Sequence, residues 1–337
     1  MHDIGTRSAD YGAQAIAKRI RRIYGQAKKE IQEIITAYNL RFMAQDRKKQ
    51  AQLAAGEITK DQYADWLKRA VFRGKLWDDK ANHCADVMTN ANKKAIDVIN
   101  GRQIGVFTDN RNYQAWRLER DIGMDMGFNL YSSDTVNLLL KKQPELLPRR
   151  VVNGVKDKAW NKNKIAEVIT KSIIKGDGIN TVADSLANTL GVQNEVAMKR
   201  MARTAMTSAQ NAGRMEMLDE AEKMGIHTKR VWIATLDDKT RDAHRDLDGQ
   251  IREKGVPFHV DLPNGKNGDI MFPGDPKADP SNVYNCRCTL GYLVGNVTKM
   301  GSRRAYYYDE HGYRKSYIIK NMTYREWEVW KRGRNPM

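Results

Sequence analysis

The chain has 337 residues, 41% of them hydrophobic, and a formal net charge of +17. That length suits about two domains, and three cysteines exclude a disulfide framework and suit a reducing cytosol. No apolar run approaches the ~20 residues that span a bilayer, and Met1 to Arg7 lacks the apolar core of a signal peptide, so neither a membrane segment nor secretion is expected.

Residues 12–55 read as one long helix. Ile16, Ile20, Ile23, Ala27, Ile31, Ile34, Tyr38 and Phe42 recur every three or four residues as an apolar stripe, with Arg19, Arg21, Arg22, Lys28 and Lys29 largely off it. Gly56 ends this helix. Thr59 with Gln62 is a capping-box pattern opening a second helix, with Tyr63, Trp66, Leu67 and Val71 inward. A third spans Asp79 to Ile99 and stops at Asn100-Gly101; Cys84 inside it reads as a buried small thiol. Tyr113, Trp116 and Leu118 suggest another helix and Val136 to Leu140 one more, closed by Pro144 and Pro148. Asn163 starts a helix with Ile165, Val168, Ile169 and Ile173 inward, ended by Gly176. Thr181 to Leu190 is a short helix ended by Gly191, and Val192 to Met224 a long one capped by Gly225.

From Lys229 the pattern changes. Lys229 to Leu236 alternates as a strand, Asp238 can cap a helix over Lys239 to Leu247, and Gly249 stops it. Gln250 to Phe258 reads as a second strand. Pro263, Pro273, Pro276 and Pro280 deny the next segment a regular ladder. Cys286 to Val294 returns to period two, with Cys286, Cys288, Leu290 and Tyr292 on one side, and is expected to pair with the first strand. In the tail, Tyr306 to Ile319 reads as a hairpin turning at His311-Gly312, and Thr323 with Glu326 opens a last helix carrying Trp327 and Trp330. Aromatics between cations could stack bases, or dock the tail on the domain or a neighbour.

The fold class is therefore α+β. It comprises a mainly helical, basic N-terminal region (1–150), a small α/β domain with a short sheet (151–298), and a basic aromatic tail (299–337). The three parts hold 27, 21 and 10 Lys and Arg against 18, 19 and 4 Asp and Glu, so the central part is almost neutral. The flanking excess can attract double-stranded DNA without regard to sequence, although solvated helix faces carry similar charge.

The central part holds the ordered set Trp232, Ala234, Asp237, Thr240, Arg241, His244, Leu247, Gly249, then Phe272-Pro273-Gly274-Asp275-Pro276, then Asn285-Cys286-Arg287-Cys288. Upstream stand Ala202-Arg203-Thr204 and Asn211-Ala212-Gly213-Arg214. This order and spacing resembles the Mu F-like minor head proteins, the phage head morphogenesis family, over about residues 161–294. Ala205 departs from it, standing where the family pattern has glutamate. The resemblance implies a low-copy component of the virion, made in the host cytoplasm and held in the capsid interior at or near the portal vertex. Its implied partners are the portal protein and a major capsid or scaffold protein, with a role in head assembly and DNA packaging or delivery. It requires no reaction and no cofactor.

Zinc is nonetheless possible at His244, Cys286 and Cys288, because thiolate and imidazole are its usual ligands. Some family members resemble complete tetrahedral sites, with Cys-x-x-Cys at the positions of Arg241 and His244 and a histidine at that of Val283; two of those ligands are absent here. Asp237 or His259 could close the site. The plainer reading has His244 bonding strand ends while the cysteines pack. Arg241 and Arg287 could fork onto Asp237, Asp238 and Asp242, and Trp232 reads as a core anchor. Two other functional classes fit less of the pattern: an enzyme, such as a metal-dependent nuclease or an ADP-ribosyltransferase-like toxin module, and a nonspecific DNA-binding protein without a capsid role. No Gly-rich phosphate cradle supports the first, and the second leaves the central motif idle.

Overall fold

The computed structural model describes residues 4–235, 239–295, 302–308, 310–311, 314–320 and 324–334. Helices α1 (Ile4–Asn39), α2 (Met43–Ala54), α3 (Lys60–Trp66), α4 (Lys75–Ile122), α5 (Ser133–Lys142), α6 (Gly154–Lys175) and α7 (Ile179–Lys223) come first. Then follow β1 (Thr228–Ile233), α8 (Asp242–Asp246), β2 (Ile251–Arg252), β3 (Phe258–His259), β4 (Asp269–Ile270), α9 (Pro280–Val283) and β5 (Thr289–Val294). Strands β6 (Ser302–Tyr308) and β7 (Arg314–Lys320) and helix α10 (Tyr324–Arg334) complete the chain. The α+β expectation holds: long helices precede a few short antiparallel strands. No helix among the described residues is long and apolar enough to cross a membrane.

Two compact units form, one from residues 16–98 and 150–199, the other from 1–15, 99–149 and 200–337. In the first, Ile16, Ile20, Ala27, Ile31 and Tyr38 are buried as the stripe requires. Tyr24 and Ile35 join them, while Ile23, Ile34 and Phe42 are half-buried. The single helix expected over 12–55 is two. Phe42 N–H bonds the Asn39 carbonyl at 2.8 Å in the break, and the buried Asn39 amide donates to the Ile179 carbonyl at 2.8 Å. The capping box is present: Gln62 N–H donates to Thr59 Oγ1 at 3.2 Å and Thr59 N–H to Gln62 Oε1 at 2.8 Å. A π-turn over Leu67–Val71 extends α3, so Tyr63, Leu67 and Val71 fall on one fully buried line. Helix α6 begins nine residues before the expected Asn163, because Asn153 caps it by accepting from Lys156 N–H at 3.1 Å. Gly176 (φ +79°) ends it as expected.

A polar network ties four helices of this unit. Tyr24 donates to Asn92 Oδ1, and Asn92 Nδ2 donates to Asp157 at 3.0 Å and to Asn194 Oδ1 at 2.9 Å. Asn194 in turn donates to Asn161 Oδ1 at 3.3 Å.

Two expected stops are not stops. Helix α7 runs straight through Gly191, where a Cβ would overlap the stem of Lys28; glycine is there for close approach, not termination. Helix α4 likewise continues past Asn100-Gly101 and takes in Tyr113, Trp116 and Leu118. A helical glycine costs about 1 kcal/mol relative to alanine, and burial of Val106, Phe107 and Leu118 in the same helix outweighs it at about 1.5–3 kcal/mol each.

In the second unit a three-stranded antiparallel sheet has the order β2-β1-β5, with Trp232 opposite Leu290 and Val231 opposite both Ile251 and Gly291. The strand expected over 250–258 is two fragments, β2 and β3, and β3 pairs with β4 instead. The helix expected over 239–247 is only the short α8. Trp232, Phe258, Ile270 and Leu290 share one core with Met217, Leu218 and Trp116. The tail forms the expected hairpin, β6 with β7, and α10; Gly312 and Thr323 lie outside the described residues. Trp327 is fully buried and donates to Glu119 at 2.6 Å, so this ring is not available to stack bases. Lys331 holds the same helix by bonds of 2.9 Å to Glu119 and to Asp125.

Candidate functional site

The motif residues meet where α7 crosses the run from Asn285 to Leu290. Thr204, Thr207, Asn211 and Arg214 lie three or four apart, with Gln210 beside them, so they present a polar ridge from a helix that is buried along this stretch. Each addresses the opposing segment, mostly its backbone. Thr204 Oγ1 accepts from Asn285 N–H at 2.9 Å, and Thr207 Oγ1 donates to the Cys286 carbonyl at 2.7 Å. Asn211 Nδ2 donates to Cys288 O at 3.1 Å and Pro273 O at 2.8 Å, while its Oδ1 accepts from Leu290 N–H at 2.8 Å. Arg214 donates to Leu290 O at 3.2 Å and Asn110 Oδ1 at 3.1 Å. Gln210 donates to Thr289. The helix thus satisfies groups that a strand with no further neighbour would leave orphaned.

Tight backbone positions let the elements come this close. Gly213 packs against α4, where a Cβ would overlap the Phe107 carbonyl oxygen. Gly274 adopts φ +83°, and its Cβ would sit 3.0 Å from Ser208 N. Asp275 braces that turn by accepting from Met271 N–H at 3.1 Å and Lys277 N–H at 2.9 Å. Asn285 is left-handed at φ 59°, a conformation asparagine tolerates better than most residues.

Under this frame lies a buried cluster. His244 Nδ1 is 3.6 Å from Cys286 Sγ and 3.6 Å from Cys288 Sγ, and all three residues are at most 2% exposed. Trp232 meets the imidazole edge to face at 5.2 Å, with Phe258 at 5.3 Å from the same indole. The contact from Cys286 holds the Cys288 thiol down, to about 4, with His244 acting in the same direction; that contact and burial push Cys286 well up. Tetrahedral zinc, with Zn–S about 2.3 Å and Zn–N about 2.05 Å, sets a nitrogen–sulfur edge of about 3.6 Å. Both observed edges match. His259 takes no part in the cluster: it is exposed on β3 and bonds Asp269 at 2.7 Å, which with Asp261 raises its pKa. Asp237 and Asp238 lie outside the described residues. Among the described residues His244 bonds no strand end; its Nδ1 faces the two sulfurs.

The remaining motif residues hold turns. Gly249 (φ +74°) donates its N–H to Trp232 O at 2.9 Å, and Thr240 donates to the Thr235 carbonyl. Thr235 donates to the Arg287 carbonyl at 2.8 Å. Arg241 donates to the Tyr284 carbonyl and Asp242 pairs with Arg245 at 3.1 Å, while Asp237 and Asp238, the other carboxylates expected to receive the arginines, lie outside the described residues. Thr204 faces the motif, whereas Arg203 is exposed. Thr207 and Gln210 carry no sequence expectation, although the polar ridge through Thr204, Thr207, Asn211 and Arg214 was the available signal.

Residues 163–291, the span that builds this lock, match the family described as Phage Mu protein F like protein. The chain thus carries a Mu F-like domain over residues 163–291. It is similar to Minor head protein GP7 of Bacillus phage SPP1, with 28% identity over 94% of this chain and 92% of that protein. It is 29% identical to NAD(+)--arginine ADP-ribosyltransferase EFV of Enterococcus faecalis (strain ATCC 700802 / V583), over 41% of this chain but 28% of that enzyme. Uncharacterized protein YqbB of Bacillus subtilis (strain 168) is 29% identical over 44% of this chain and 50% of its own length. No solved structure matches. The Mu F-like motif is thus a helix-to-strand lock around a buried Cys–His cluster.

Proposed function

We propose that this Mu F-like protein is a minor head protein, bound at or near the portal inside the procapsid, that assists head assembly and DNA packaging or delivery. The observation that carries the reading is the likeness to Minor head protein GP7 along nearly the full length of both chains, not along the shared domain alone. The site supports a structural role, because the Cys–His cluster is buried and so suited to holding a fold rather than to turnover. The ADP-ribosyltransferase match spans 28% of that enzyme, as expected where a shared domain sits beside a separate activity. Quantitative mass spectrometry of gradient-purified procapsids tests the reading. A few copies per particle, lost when the portal is absent, are expected; its absence from particles would sink the assignment.

The exposed cations Lys18, Arg19, Arg22 and Lys29 on α1 carry no ion pair among the described residues and support nonspecific contact with double-stranded DNA. Two unrelated duplexes of equal length bind alike on this reading, with affinity falling steeply as salt rises. The Cys–His edges support structural zinc on His244, Cys286 and Cys288.

A further inference from the structure

A groove lies beside α5, away from the motif. It has a volume of about 770 Å³ and lies between the Asn100–Ile104 turns of α4 and the segment from Asn137 to Arg149. Its floor is apolar, made by Ile104, Leu140 and the buried Leu147. Lys141 and Arg149 stand exposed on its rim, without an ion pair among the described residues. Gln103 lines it too. That side chain is only 4% exposed.

From this combination we infer that the groove is a docking site for an acidic, apolar segment of a partner protein. The apolar floor takes one or two aliphatic or aromatic side chains, in the manner of a groove that receives an amphipathic helix. The carboxamide of Gln103 offers one donor face and one acceptor, the complement of a peptide unit. Lys141 and Arg149 supply charge-assisted bonds to flanking carboxylates. Lys141 alone could be explained by the negative end of α5, but that accounts for neither Arg149 nor Gln103. Duplex DNA fits poorly, since an apolar floor gives a phosphate backbone nothing to bind. The inference is independent of the head assignment, which survives if the groove proves empty.

Fluorescence anisotropy on the full chain tests it, at physiological salt. The probes are two short labelled peptides with leucines at the same helical spacing, one with glutamate at every polar position and one with lysine. The glutamate peptide binds the native chain, and the double variant Lys141→Glu, Arg149→Glu weakens it about tenfold or more. Leu140→Asn and Gln103→Leu, which leave the charge unchanged, weaken it as well. Melting curves identify variants that remain folded, and Leu140→Asn serves if the charge reversal does not. Equal affinity of the glutamate peptide for the native chain and for every folded variant would make its binding a general response to the net charge of +17 and overturn the proposal. So would a short DNA duplex that loses affinity in the same variants to the same degree.

Discussion

Asn211 and Cys288 are joined side chain to backbone: the amide of the first donates to the carbonyl of the second at 3.1 Å. The same carboxamide serves Pro273 O and Leu290 N–H, so one residue closes three backbone groups from the Pro273 turn and the run into β5. Asn211→Leu, close in volume, keeps the packing and strands all three. We expect it to cost at least about 3 kcal/mol, at roughly 1–3 kcal/mol per buried group left unmet. Urea unfolding followed by tryptophan fluorescence checks this; a loss below 1 kcal/mol, by the same scale, would mean that water replaces the amide.

Two glycines in neighbouring helices should behave oppositely. Gly213→Ala drives a methyl into the Phe107 carbonyl and should destabilise by about 1–3 kcal/mol. Gly101→Ala meets nothing within 4 Å in the middle of α4 and should stabilise by up to about 1 kcal/mol. Denaturant midpoints of the two variants decide it.

Glu119 sets a pH dependence. Burial pushes its carboxyl up to about 7, against which Lys331 pulls down. A carboxyl raised on folding favours the native state most below its unfolded value and loses that contribution as pH rises through the folded one. The window therefore runs from about 4.5 to about 7 and spans roughly 3 kcal/mol. Asp125, whose burial is more than offset by Lys331 together with the hydrogen bonds from Gly127 N–H and Glu119, is held low and acts in the opposite sense at more acid pH. Melting temperature should fall less steeply between pH 5 and pH 7 in Glu119→Gln than in the native chain. Parallel curves would place the native titration elsewhere.

Zinc is checked by elemental analysis of protein purified without a histidine tag. One zinc per chain is expected, lost in Cys288→Ser, with a lower melting temperature after chelation. Substoichiometric metal and unchanged melting would leave His244 as a packed bridge between two sulfurs.

The sequence foretold the lock better than the helices that carry it. Trp232, His244, Cys286 and Cys288 are fixed in order by their motif, and the structure brings them within one cluster. Asn100-Gly101 and Gly191 mislead because local punctuation is worth only about 1 kcal/mol, whereas the packing that overrides it is distributed over the whole helix. Thr207 and Gln210 were missed for a different reason. Helical spacing marks the polar ridge they stand on, but not their partners, the Cys286 carbonyl and the Thr289 hydroxyl, each 79 residues downstream. The fragments β2 and β3 were unreadable as separate strands, since each is set by its neighbour rather than by its own alternation.

Thr6 and Thr289 meet hydroxyl to hydroxyl at 3.4 Å across 283 residues of chain, and Arg214 reaches the same Thr6 at 3.3 Å. A growing chain therefore cannot finish this unit until almost all of it has left the ribosome; meanwhile Asn211 and Arg214 have water for partners. Loop closure over such distances must precede the contacts that reward it, which makes folding slow. An abundant, rapidly assembled shell component would be poorly served by that delay. A truncated copy lacking β5 would leave the polar ridge of α7 unclosed and fail to lock.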